Sequence, residues 1–145
     1  MSARPPRSLV VVDTNVFGAG LLQRTAGLAD LYRTVLAGRP AVISFQTVAE
    51  LHYGARRRRW GRSRMLRLEA RIASAEVVWA GPDLLGTYVD LRVACEQAGH
   101  ALGQRGHDTD RWIAATAVHL GVPLVSHDGV FRGVPGLLHE TALDG

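Results

Sequence analysis

Asp13, Glu50, Asp110 and Asp128 are the residues of this chain whose types and positions could do chemistry. Each alone has an ordinary explanation. Aspartate is common after strands, and a helix N-terminus welcomes the negative charge of Asp108 and Asp110. Together they imply more. Two carboxylates about 4 Å apart repel by roughly 4 kcal/mol at an effective dielectric near 20, so a cluster of them must take up protons or a cation. An all-oxygen ligand set suits hard ions such as Mg²⁺ or Mn²⁺. Mg²⁺ held by a few carboxylates keeps several waters and completes its shell with phosphate oxygens, which suits phosphodiester hydrolysis. The ion can acidify a bound water for in-line attack and neutralise charge building on the phosphoryl oxygens. That scheme requires no histidine or cysteine, and the six histidines show no Cys/His spacing of a zinc site.

The elements that must position these acids alternate between strand and helix. Ser8-Leu-Val-Val-Val12 is a β-branched run ending at Asp13, the pattern of a strand buried on both faces of a parallel sheet. Apolar residues from Leu21 to Leu36 recur at helical spacing and stop at Gly38-Arg-Pro40. Ala41-Val-Ile43 is a second strand, and Ser44 caps a helix carrying Glu50 in its second turn. A helical arginine-rich stretch spans Arg56 to Arg71, followed by a third strand, Glu76-Val-Val-Trp79. Leu84 to Ala98 is helical, and a glycine-bearing loop runs from Gly99 to Gly106. Asp108 or Thr109 opens a helix that Gly121 ends, Val122 to Ser126 is a fourth strand, and Leu137-Leu-His139 is a short edge strand. Strands alternating with helices specify an α/β fold with a mostly parallel central sheet. Ligands in such sheets bind outside the carboxyl ends of the strands. Asp13, Glu50 and Asp128 fall at that edge, whereas the position of Asp110, in a helix leading into a strand, does not by itself place it there.

At 145 residues the chain is expected to form one domain over 1–145, with 1–7 as a flexible lead-in. The start of the chain contains neither a signal h-region nor a spanning segment, so a cytoplasmic protein is expected. Cys95, the single cysteine, sits in an apolar helical pattern and reads as packing. The formal charge is +4 and every basic residue is arginine, which favours phosphate binding but also fits a GC-rich coding bias.

Val11-Val-Asp13-Thr-Asn15, Val48-Ala-Glu50-Leu, Asp110-Arg-Trp-Ile-Ala-Ala-Thr-Ala117 and Pro123-Leu-Val-Ser-His-Asp128 resemble the four acidic motifs of PIN domains, above all those of VapC-type toxins. The resemblance runs from about Leu9 to Phe131, nearly the whole chain. It implies a three-layer α/β/α fold, Mg²⁺- or Mn²⁺-dependent RNA cleavage, a homodimer, and inhibition by a cognate VapB-like antitoxin. It also implies that Asp13, Glu50, Asp110 and Asp128 are the catalytic and metal-binding acids, with Asn15 and Ser126 as the polar residues that accompany them. Asp108 is two residues off the motif register, which makes it a helix cap or an acid behind the ligands.

Helix phase separates the four arginines of Arg56–Arg59. Arg57 lies seven residues past Glu50, nearly the same face about 10 Å further on, and is the candidate RNA phosphate contact, whereas Arg59 falls on the opposite side. The bland reading of the run is a solvated helix end. Tyr53 and Trp60 interleave with the arginines and could stack on unpaired bases, although burial in the fold or a dimer interface is the ordinary expectation. His127, between Ser126 and Asp128, is a second candidate substrate contact.

Three other functions compete. An aspartyl-nucleophile phosphatase or phosphotransfer domain shares only Asp13, and such proteins use a lysine this chain lacks. A PIN-like RNA-processing nuclease that is not a toxin would look the same in sequence. A PIN-like binding module without metal would not be expected to retain all four acids.

Overall fold

In a computed structural model, which describes residues 8–143, five parallel strands form one sheet in the order β3-β2-β1-β4-β5. The strands are β1 (Val10–Val12), β2 (Ala41–Ser44), β3 (Glu76–Val78), β4 (Leu124–Val125) and β5 (His139–Glu140). The helices are α1 (Thr14–Phe17), α2 (Ala26–Leu36), α3 (Phe45–Arg57), α4 (Arg62–Ala73), α5 (Pro82–Gln97) and α6 (Asp108–Leu120). The lead-in expected at 1–7 lies outside the described residues.

The alternation within β1 divides the core into two layers. Val11 faces one side with Tyr88 and Leu91 of α5, Ile113 and Ala117 of α6, and Phe131. Val10 and Val12 face the other with Val16 and Phe17 of α1, Tyr32 of α2 and Ile43. All three valines are fully buried, as their β-branched run requires of a central parallel strand. Helices on both faces of a parallel sheet make the three-layer α/β/α fold. Cys95 is packed in the first layer, and among the described residues no helix is long and apolar enough to cross a membrane.

The sheet is wound outward from β1 in both directions, so the order reverses between β1 and β4. Crevices open at such a reversal because the connections leave it on opposite faces. Three local devices shape this one. Ser44 caps α3 by accepting the Gln46 N–H at 3.1 Å, which starts that helix at the sheet edge. Gly18 ends α1 so close to α3 that a Cβ there would lie 2.9 Å from Leu51 Cδ2. Arg39 grips Glu140 with two hydrogen bonds of 2.6 and 3.0 Å, tying the edge strand β5 back to the α2–β2 link.

Several boundaries differ from the sequence reading, and the fourth strand is shorter than expected, Leu124–Val125. A single helical turn, α1, follows Asp13 at once, and the longer helix begins only at Ala26. The fifth strand is His139–Glu140, later than expected at Leu137–His139. The stretch from Arg56 to Arg71 is two helices, because α3 closes in a Schellman motif: Arg59 N–H donates to Arg56 O at 3.1 Å and Trp60 N–H to Ala55 O at 3.1 Å. Arg59 takes the left-handed conformation, φ 54°, at the position where glycine is usual.

Candidate active site

Asp13 leaves β1 at the reversal point and caps α1, its Oδ1 accepting the Thr14 N–H at 2.8 Å. Its other oxygen, Oδ2, accepts the hydroxyl of Ser126, the residue that leaves β4, at 2.7 Å. The crevice between the two central strands is thus bridged by one hydrogen bond. Both residues are buried, and burial pushes the Asp13 carboxyl up to about 6. The bonds from Ser126 and Thr14 work against that rise, and the charges of Asp110 and Glu50 add to it.

The charge of Asp110 bears on both Asp13 and Glu50, although its place in a helix leading into a strand did not by itself put it at their edge. Asp110 sits in the first turn of α6, half-buried, with His107 Nδ1 at 3.3 Å from its Oδ2. Its helix is held toward α3 by aromatic packing: Trp112 stacks on Tyr88 of α5 at 4.0 Å and meets Phe45, the first residue of α3, edge-on at 5.3 Å. Glu50 reaches in from α3, where its Oε1 accepts the Thr14 hydroxyl at 2.7 Å. Thr14 Oγ1 also lies 2.9 Å from Thr47 Oγ1, one helical turn before Glu50. The Glu50 carboxyl stands above its usual range through partial desolvation, opposed by the Thr14 bond and reinforced by Asp110. Thr14 and Thr47 escaped the sequence reading, although the i, i+3 spacing of Thr47 and Glu50 puts them on one helix face.

Asp128 is tied to the group through Ser126. Its N–H donates to Ser126 Oγ at 3.0 Å, while its Oδ1 accepts the Val130 N–H at 2.9 Å and caps the 3₁₀ turn Gly129–Phe131. Asn15 is exposed at the rim of the cleft that also holds Glu50. His127 turns its ring to the core side, with Nδ1 2.9 Å from the Tyr32 hydroxyl and the two rings edge to face. Asp108 points away from the acids: its Oδ1 accepts the Tyr88 hydroxyl at 2.8 Å and pairs with Arg111, and these hold its carboxyl below the usual range. Arg111 is itself buried and donates to the carbonyls of Leu102 and Gln104 at 2.7 and 2.8 Å. A charged residue just after two acids reads as surface, so its burial left no signal in sequence.

The oxygen-only donors Asp13, Glu50 and Asp110 fit a hard cation, since two of the three are held in a state that a positive charge would relieve. Among the described residues no group of three His, Cys, Asp or Glu side chains is drawn tightly enough to enclose an ion directly.

Beside Glu50 opens a cleft of about 530 Å³ lined by Thr14, Asn15, Tyr53, Arg24, Arg57 and Arg58, among others. Arg57 donates to the Tyr53 hydroxyl at 3.2 Å. Arg56 and Arg59 line a different groove, between α3 and α4, so the four consecutive arginines divide between two faces as helix phase requires. Tyr53, expected to be buried, is 65% exposed in this chain, whereas Trp60 is partly buried.

A family profile described as PIN domain matches residues 10–137. No curated protein matches the sequence. Among solved structures, VapBC2 from Rickettsia felis bound to a promoter DNA fragment superposes with a TM-score of 0.74 at 20% identity, covering 92% of this chain and 98% of that one. DNA-bound VapBC from Salmonella typhimurium gives 0.71 at 22% identity, covering 92% and 97%. VapBC-5 from Mycobacterium tuberculosis gives 0.64 at 23%, covering 94% and 98%. At these identities the likeness is one of fold.

Proposed function

This chain belongs to the PIN-domain family, and from that premise we propose that it is a Mg²⁺-dependent endoribonuclease, with Mn²⁺ as a substitute, serving as the toxin of a VapBC-type pair. The observation that carries the reading is Asp13: a buried carboxyl at about 6, at the strand-order reversal, with the charges of Glu50 and Asp110 bearing on it. Without an ion the buried carboxyl is relieved only by a proton, which a group at about 6 has mostly lost at neutral pH, and this argues against a metal-free binding role.

Asp13, Glu50, Asp110 and Asp128 would hold the ion, with Asp128 tied to Asp13 through Ser126. When bound, the ion supplies a more acidic water as nucleophile and offsets charge on the phosphoryl oxygens. The protein's part is orientation. Ser126 and the Thr14 N–H fix the two oxygens of Asp13, and the Thr14 hydroxyl, backed by Thr47, fixes Glu50. Asn15 at the rim and Arg57 in the cleft contact the RNA backbone. Residues 1–145 act as one nuclease domain, in the cytoplasm and as a homodimer. The VapBC assemblies that share the fold support a VapB-like antitoxin as partner, and an acidic site that takes a cation would also take a partner's arginine.

The test is cleavage of single-stranded RNA with Mn²⁺, beside a small phosphate ester, by the wild type and Asp13→Asn. RNA cleavage by the wild type alone is expected, whereas turnover only of the ester would point to a phosphatase. For the toxin role, induced wild type should arrest bacterial growth, Asp13→Asn should not, and co-expression of an antitoxin frame adjoining the gene should restore growth. Cleavage without arrest would leave a nuclease that is not a toxin.

A further inference from the structure

The cleft beside Glu50 is larger than holding an ion needs, and its charge is lopsided. Among the described residues Glu50 is the one carboxylate in its lining, against the three guanidiniums of Arg24, Arg57 and Arg58. A lining of that sign favours a polyanion over a basic peptide. Its volume, about 530 Å³, falls in the range of pockets that hold one small ligand, roughly 300–1,000 Å³. The exposed ring of Tyr53 lies on this surface with its hydroxyl held by Arg57, so the ring is steadied while its face stays accessible. Gly54 clears the path for Arg58: a Cβ at Gly54 would stand 3.0 Å from Arg58 Nη1, so the guanidinium folds back over the helix into the cleft.

Resting on the nuclease reading above, we propose that this cleft is a nucleotide subsite for single-stranded RNA, holding the residue next to the cleaved phosphate. Tyr53 stacks on its base, and Arg24, Arg57 and Arg58 bind the flanking phosphates. Single strands are selected because a paired base offers no free face to Tyr53. Base identity is not read here, since stacking accepts every base.

The test is anisotropy of a fluorescein-labelled, mixed-sequence RNA decamer with full-length protein in EDTA, which prevents cutting, followed by kinetics with Mn²⁺. Tyr53→Ala should weaken binding roughly tenfold and Tyr53→Phe less than about twofold, because the phenyl ring still stacks. Arg24→Ala and Arg58→Ala should each weaken binding and lower the salt slope by about 0.7. Arg56→Ala, in the other groove, should match wild type, and a duplex of the same sequence should compete poorly. In turnover, Tyr53→Ala should raise KM with kcat nearly unchanged.

Wild-type RNA affinity in Tyr53→Ala and Arg58→Ala would overturn the subsite and leave the cleft to an acidic segment of a protein partner. Equal losses in Arg56→Ala would overturn it too, since the basic surface would then be diffuse. The two proposals fail separately. A wild type that cuts RNA while the cleft variants keep its KM removes the subsite alone. A wild type that binds with the stated pattern but cuts nothing removes the nuclease reading and keeps the RNA cleft.

Discussion

Ser126 donates its hydroxyl hydrogen to Asp13 Oδ2 at 2.7 Å while its oxygen accepts the N–H of Asp128 at 3.0 Å, so one buried side chain links the carboxyl ends of β1 and β4. The bond favours ionised Asp13 against the burial that disfavours it. Ser126→Ala should therefore push the Asp13 carboxyl further above about 6 and reduce Mn²⁺ affinity. A polar group behind a ligand commonly accounts for roughly 10–100-fold in metal affinity. Calorimetric titration should show the larger loss at pH 6.5 and a smaller one at pH 8, where either variant is mostly ionised. Equal losses at both would mean Ser126 sets geometry alone.

The same carboxyl makes stability depend on pH. Its folded value, about 6, lies above its ordinary 3.8, so the folded protein binds this proton more tightly than the unfolded chain does. The associated stability is fully present below about pH 4 and is lost as pH rises through 6, a change of up to about 3 kcal/mol. Asp13→Asn should therefore raise the melting temperature of metal-free protein at pH 7.5, with the advantage vanishing near pH 4. Added Mn²⁺ should stabilise the wild type and not the variant. A pH-independent difference between the two would contradict the assigned burial of the charge.

Much of this site was legible because strand ends can be read from hydrophobic runs. The buried valines before Asp13, the Ser44 cap that sets the phase of Glu50, and the Asp108-to-Gly121 limits of α6 all rest on local signals. What was not legible depends on pairings far apart in sequence. The motif named Asp110, but not the packing of Trp112 between Tyr88 and Phe45 that holds its helix toward α3, and His127 turns inward to a tyrosine 95 residues away. A four-residue helix such as α1 is too short to show a period. The α3–α4 break was hidden because arginine, not glycine, occupies the left-handed position.

Arg111 should be the costliest charged residue to replace outside the acidic group. Its fork meets the Leu102 and Gln104 carbonyls, the Tyr88 hydroxyl and Asp108, and so holds the loop before α6 against α5. Arg111→Met would leave those carbonyls without their donor, a loss of about 3 kcal/mol in urea unfolding. Arg111→Lys should recover little, because one ammonium cannot reproduce the planar fork. Because Asp110 is the preceding residue in that turn, Mn²⁺ affinity should fall in both variants. Wild-type stability in Arg111→Met would show that the loop is held by its apolar contacts instead.

Arg57 and Arg59 stand two residues apart and should respond in opposite ways. Arg57 faces the cleft of Glu50, so Arg57→Ala should weaken RNA binding and lower the single-strand salt slope by about 0.7 with little effect on stability. Arg59 lines the other groove and adopts φ 54°, a conformation that costs a non-glycine residue roughly 1 kcal/mol. Arg59→Gly removes that strain, although glycine also gains freedom in the unfolded chain, so the net stabilisation should be about 0.5 kcal/mol. Urea unfolding and RNA anisotropy on both variants separate the two roles. If Arg59→Gly lost as much RNA affinity as Arg57→Ala, the arginines would act as one diffuse basic face, and the division of the run between two grooves would have no bearing on RNA.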